Sequence, residues 1–85
     1  MQRHITLKQF RYFLAVSETA SVAAAARMIN IAQSAVTKSI QELEDALGVK
    51  LFERTTKGMV LTQDGHRFQA SARKVIAAVA EAGQL

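Results

Sequence analysis

Over most of the chain, hydrophobic positions recur every three or four residues, the period of helices. Leu7, Phe10, Phe13 and Leu14 form the first such stripe and predict an amphipathic helix opening at Leu7, with the stripe as its core face. Thr6 and Gln9 stand in the capping-box relation at its start, the Thr6 hydroxyl accepting from the Gln9 amide while the Gln9 side chain reaches back. Ile5 is positioned to staple onto Phe10 one turn in. Ser21 is the next N-cap candidate, opening a short alanine-rich helix from Val22 to Ile29, and Asn30, which tolerates a left-handed backbone, suits its end. A third helix is predicted from about Ala32 to Leu47. Val36, Ile40, Leu43 and Leu47 lie on its buried face, Gly48 terminates it, and Val49 is placed to fold back on its last turn. So few residues separate Asn30 from Gln33 that the two helices must cross sharply, as a helix-turn-helix.

After Gly48 the period changes. Lys50 to Arg54 and Met59 to Thr62 are short β-tolerant runs around Thr55-Thr56-Lys57-Gly58, which predicts a small hairpin, or wing. Thr62 can cap a last helix running to about Ala82. Its apolar positions Phe68, Ala72, Val75, Val79 and Ala82, with Ile76 beside Val75, make a heptad-like seam shorter than the three or four heptads of an unambiguous coiled coil. The seam can pack on its own domain or on a second copy of the chain, and a dimer seam is the expected use. The predicted architecture is mainly α: a winged helix-turn-helix of three helices and a two-stranded wing over residues 1–62, followed by a long dimerisation linker helix over 63–85.

At 85 residues the chain has room for one domain with a small core. Having no cysteine, it can form neither disulfides nor Cys-based zinc sites, and it has no thiol nucleophile. No apolar run approaches the ~20 residues that cross a bilayer, and no signal-peptide core follows Met1, so a reducing cytoplasm, with no membrane partner, is expected. Catalysis finds no constellation. His4 and His66 lie far apart and outside metal-ligand spacing, no serine sits in a glycine-rich elbow, and no glycine-rich loop could cradle phosphates. Glu42, Glu44 and Asp45 read as solvated charge on the third helix. No enzyme activity, cofactor or metal is expected. Eleven Lys and Arg against seven Asp and Glu give a net charge of +4, which favours an anionic partner without specifying one.

The third helix gives that charge a direction. Gln33, Ser34, Ala35, Thr37 and Lys38 in its first turns are small or polar and carry no acid, whereas Glu42, Glu44 and Asp45 occupy its last turns. Only the N-terminal half can approach polyanionic DNA, and a recognition helix enters the major groove by that end. Gln33 can pair with an adenine edge and Lys38 with guanine acceptors or a phosphate; Thr37 and Ala35 can meet a thymine methyl. Arg54, Thr56 and Lys57, at the edge and tip of the wing, form a second element suited to phosphate or minor-groove contact. A winged-helix module that meets a protein through the same polar face is the alternative, against which the basic wing and acid-free helix start both argue.

The string from Leu7 to Gly65 resembles the N-terminal DNA-binding domain of the LysR-type bacterial transcriptional regulators. The resemblance is carried by the L-x-x-F start at Leu7, the alanine run before the turn, Gln33 opening the helix, L-E-x-x-L-G-V-x-L-F-x-R from Leu43 to Arg54, and L-T-x-x-G from Leu61 to Gly65. It implies a winged helix-turn-helix whose linker helix pairs with its counterpart, so that dimers or tetramers bind double-stranded promoter DNA. It also implies a C-terminal domain that senses a small-molecule effector. These 85 residues do not include that domain and are therefore expected to be the DNA-binding part of a longer protein. By position, Gln33, Thr37 and Lys38 match the family's base-reading and phosphate-contacting residues, Arg54 and Lys57 its wing contacts, and Ser21 and Val22 the start of the second helix where it nears the DNA backbone. Ala32 stands where the family often has serine, Ser34 where it often has proline, and Thr37-Lys38 where Ser-Arg is common, which bears on the target sequence rather than on the function.

Overall fold

Most helix ends in this chain are set by a residue that satisfies backbone groups the helix leaves over, and the computed structural model, which describes residues 5–83, shows how each does so. Helix α1 spans Leu7–Thr19; Thr6 Oγ1 accepts from the Gln9 N–H at 3.2 Å while Gln9 Oε1 accepts from the Thr6 N–H at 2.9 Å, completing the capping box. It ends at Ala20, a non-glycine in the left-handed region at φ 57°. Helix α2, Val22–Ile29, is capped by Ser21, whose Oγ accepts from the Ala24 N–H at 3.0 Å. It closes at Asn30, also left-handed, with the Ile31 N–H donating to the Ala26 carbonyl. Helix α3 runs Gln33–Leu47, so that Ala32 is its N-cap rather than its first residue, and Gly48 at φ 74° closes it.

Strands β1, Phe52–Thr55, and β2, Gly58–Leu61, pair antiparallel with Phe52 opposite Leu61 and Thr55 opposite Gly58. Strand β1 starts two residues later than its sequence run, because the Lys50 carbonyl and the Leu51 N–H bond to the side chains of Thr62 and Glu44. Strand β2 is shifted by one residue, taking in Gly58 and leaving Thr62 out. The Leu51 N–H donates to Glu44 Oε2 at 2.7 Å, the Leu51 carbonyl accepts from the Thr62 N–H at 3.0 Å, and the Lys50 carbonyl accepts from Thr62 Oγ1 at 2.6 Å. Thr62 Oγ1 also accepts from the Gly65 N–H at 2.9 Å and so caps helix α4, Gln63–Ala82. Gly65 lies against the Leu51 carbonyl oxygen with no space for a side chain between them.

The core lies where α1, α2, α3, the base of the wing and the first half of α4 converge. Phe13, Val16, Val36, Leu43 and Leu51 are fully buried within it. Phe68 of α4 ties the last helix in: its ring stacks on Phe10 with centroids 5.3 Å apart and meets Phe13 edge-on at 5.0 Å, while Phe13 also touches Phe52 of β1 at 5.2 Å. Three apolar residues expected to pack are exposed. Leu7 is 42% exposed, because the buried part of α1 starts one turn further in, and Ile5, expected to staple there, is 39% exposed. Val49, expected to fold back on the last turn of α3, is 36% exposed, and Leu51 is the residue beyond Gly48 that enters the core.

Candidate nucleic-acid interface

The buried face of α3 comprises Val36, Ser39, Ile40 and Leu43, so the helical period turns the intervening residues outward. Gln33, Ser34, Ala35, Thr37 and Lys38 are all exposed, as expected, and no acid stands in the first turn. Among the three carboxylates of the last turns, Glu42 and Asp45 are exposed, but Glu44 is not the solvated charge expected of it. Its side chain is only 10% exposed; Oε2 accepts from the N–H groups of Leu51 and Phe52 at 2.7 and 3.3 Å, and Oε1 lies 3.8 Å from Lys50 Nζ. The helix periodicity that reads Glu44 as surface charge is blind to backbone donors that a turn brings back seven and eight residues later.

The wing is a tight hairpin with Thr56 and Lys57 at its turn. Thr55 Oγ1 accepts from the Lys57 N–H and donates to the Gly58 carbonyl, both at 3.1 Å, which fixes the turn locally. Arg54, Thr56 and Lys57 are exposed. A second bond ties the wing to the helix-turn-helix, for the Met59 N–H donates to the carbonyl of Ala20 at 2.9 Å. Gly58 makes the approach possible: its φ of 107° disfavours any L side chain, and a Cβ there would stand 2.5 Å from the Ala20 oxygen. The tie sets the wing beside Ser21 and the start of α2. Ser21 is half-buried and its hydroxyl is engaged as the cap, while the Val22 side chain, only 8% exposed, belongs to the core. Val22, expected where the second helix nears the DNA backbone, thus has its side chain in the core, at the edge of the cleft beside α3.

Between α3 and the wing runs an open cleft of about 550 Å³, whose walls include Thr37, Gln41, Lys50 and Arg54. Two of the expected contact residues, Thr37 and Arg54, thus face a common space. Gln41 shares it, one helical turn beyond Thr37. Charge patterning alone stops at Lys38 because acids follow, although the spacing of Thr37 and Gln41 already places them on one face. On the opposite flank of α3, Ala35 and Lys38 line a groove of about 360 Å³ with Lys8 and Tyr12 of α1. The exposed ridge of α3 is therefore bordered by cations on both sides, each beside an exposed carboxylate: Lys50 and Arg54 with Glu53 in the cleft, Lys8 with Glu42 in the groove.

The expected dimer seam divides. Ala72 is fully buried and Phe68 is packed among the aromatic rings of its own chain, and Ile76 also lies against the core. Val75 and Val79, half-buried, and exposed Ala82 continue the stripe along the second half of α4. Among the described residues no group of three His, Cys, Asp or Glu side chains could hold a metal ion, and no helix is long and apolar enough to cross a membrane. His66 is exposed at the start of α4, and His4 lies outside the described residues.

Residues 7–66 match the family described as bacterial regulatory helix-turn-helix protein, lysR family. The chain is 48% identical over 69 residues to the HTH-type transcriptional regulator ClcR of Pseudomonas putida, a match covering 81% of this chain and 24% of ClcR. It is 40% identical over 76 residues to TcbR of Pseudomonas sp. (strain P51), covering 89% of this chain and 26% of TcbR. The chain thus spans about a quarter of the length of these curated relatives. Among solved structures, the CbnR_DBD–DNA complex superposes with a TM-score of 0.89 at 38% identity, over 94% of this chain and 92% of that one. The BenM_DBD/catB site 1 DNA complex does so with a TM-score of 0.91 at 36% identity, over 94% of this chain and 90% of that one.

Proposed function

The chain belongs to the lysR family of bacterial regulatory helix-turn-helix proteins, and from that premise we propose that it is the DNA-binding part of a transcriptional regulator that recognises double-stranded promoter DNA as a homodimer. The observation that carries this reading is the exposed, acid-free first half of α3 set beside a wing tied to the same unit by the Met59–Ala20 bond. A helix of this width fits the major groove, and its N-terminal end presents the positive pole of the helix dipole to the phosphates. Gln33 reads an adenine edge; Thr37 and Lys38 supply a hydroxyl, a methyl and a point charge to the bases and phosphates alongside, with Ser34 and Ala35 allowing close approach. Arg54 and Lys57 bind the backbone or the adjacent minor groove, with Thr56 between Lys57 and the strand. The start of α2 at Ser21 contributes backbone N–H groups rather than side chains.

The role is recognition, not catalysis, and it needs no cofactor. The work of the protein lies in the cytoplasm with the chromosome. Effector sensing, and any tetramer, belong to the longer protein of which this chain is a part.

The test is a titration of the chain onto a promoter duplex and a scrambled duplex across salt concentrations. Replacing Gln33 by alanine weakens cognate binding by ~1–3 kcal/mol and relaxes discrimination at one base pair. Lys57→Ala, in contrast, weakens both duplexes alike and flattens the salt slope by about one for each phosphate the lysine had neutralised. A Gln33→Ala variant whose affinity falls equally on both duplexes removes the base-reading role. A wild-type chain that prefers no duplex, even when selected against a random pool, removes the regulator reading altogether.

A further inference from the structure

Residues 50–52 join three elements that the proposed DNA contact uses separately. On one side Glu44, from the last turns of α3, accepts from the Leu51 and Phe52 N–H groups and lies near Lys50 Nζ. On the other, Thr62 at the head of α4 binds the Lys50 and Leu51 carbonyls. Beyond this point the wing is also bonded to the helical body from Met59 to Ala20 at the opposite strand. The hairpin is thus anchored at β1 by a carboxylate and at β2 by a carbonyl. A two-stranded hairpin alone is marginal in water, so its direction depends on such anchors.

We propose that Glu44 is a positioning residue for DNA binding. It touches no nucleotide, but it fixes the angle between the recognition helix and the wing, so that Arg54 and Lys57 reach the phosphates while Gln33 to Lys38 occupy the groove. The inference rests on the DNA-binding reading and adds to it a residue that the charge pattern alone assigns to repulsion. Its chemistry is specific. An ionised carboxylate accepting two backbone N–H groups makes charge-assisted bonds, stronger than those of a neutral acceptor. Shortening the side chain by one methylene withdraws the oxygen from Leu51 while keeping the charge. Replacing it with an amide keeps an acceptor oxygen and removes the charge.

The experiment combines backbone amide relaxation of the free chain with DNA titrations at several salt concentrations, on the wild type and on Glu44→Ala, Glu44→Gln and Glu44→Asp. The expected result is a loss of amide order in Glu44→Ala and Glu44→Asp confined to the wing, Thr55 to Gly58, with α3 as ordered as in the wild type. The salt slope becomes shallower by about one to two, the equivalent of one or two phosphate contacts, while the preference for the cognate duplex survives. Glu44→Gln recovers part of both, because it retains an acceptor. Should Glu44→Ala fail to fold, Glu44→Asp carries the test. Wild-type wing order and salt slope in whichever variant folds, or a loss of order spread evenly through α1 to α3, overturns the assignment. The relaxation arm needs no DNA, so it still decides the tether if the wild type binds no duplex and the regulator reading fails on its own.

Discussion

A methyl group added at position 58 would meet the Ala20 carbonyl oxygen at 2.5 Å, and that oxygen is the acceptor that holds β2 to the corner between α1 and α2. The backbone there sits at φ 107°, where an L side chain is strained even in open space. Both effects act against Gly58→Ala: the left-handed backbone costs roughly 1–2 kcal/mol, and relieving the overlap costs about as much again. Glycine is required at this position for two independent reasons. The variant is therefore expected to lose at least about 2 kcal/mol of stability in urea titrations, with amide exchange quickening first in the wing. A variant as stable as the wild type would mean that the Met59–Ala20 tie contributes nothing. The sequence places Gly58 in the turn, whereas it opens β2, and no pattern shows that its neighbour is a carbonyl from 38 positions earlier in the chain. Glu44 is misread from sequence for the same reason: its donors lie across a turn, and a pattern along one helix records only what that helix does with its own faces. Residues whose task is local are legible, and those whose partner arrives through the fold are not.

At the scale of elements, most boundaries follow from caps that can be read directly. Thr6, Ser21, Asn30, Gly48 and Thr62 each stand where the chain stops or starts a helix, because each supplies a hydroxyl to an orphan N–H or tolerates the left-handed backbone that turns the chain away. Strand ends are less legible. Residues 50 and 51 have the composition of a strand, yet their polar groups go to Glu44 and Thr62 rather than to β2. Helix α3 is the exception among the caps. Its N-cap Ala32 holds the extended conformation of a capping residue, φ −66° and ψ 141°, but makes no side-chain bond. A serine hydroxyl in the same backbone geometry would accept from the first free amides of the helix. Ala32→Ser is accordingly expected to raise stability by ~1 kcal/mol, seen as a higher denaturant midpoint with an unchanged m-value. A drop in midpoint would show that the entry to α3 is held by packing that a hydroxyl disturbs.

The molecule as a whole measures 43 × 32 × 21 Å, and α4, about 30 Å long by the rise of a helix, contributes much of the longest dimension. The helix has two different halves. Phe68 and Ala72 pack into the small core of the 85-residue chain, whereas Val75, Val79 and Ala82 continue the same stripe outside the core cluster. The spacing of the stripe is uniform, so the sequence supports both uses of the seam equally; only the distance of each turn from the aromatic cluster separates them. Half-buried valines one turn apart, beyond the core cluster, are suited to a matching helix, and two DNA-binding units linked in this way gain from occupying two half-sites together. Val75→Lys sets a charge in that stripe at a residue outside the core cluster. The expected outcome is a monomer by light scattering, with an amide spectrum for residues of α1 to α3 that overlays the wild type. Affinity for duplexes carrying both half-sites should fall by about two orders of magnitude, as the avidity of linked sites disappears, while binding to a single half-site changes little. Should the variant remain dimeric, the pairing surface lies elsewhere, and the exposed Met28, which lines a shallow groove with Leu14 and Ile76, becomes the next position to charge.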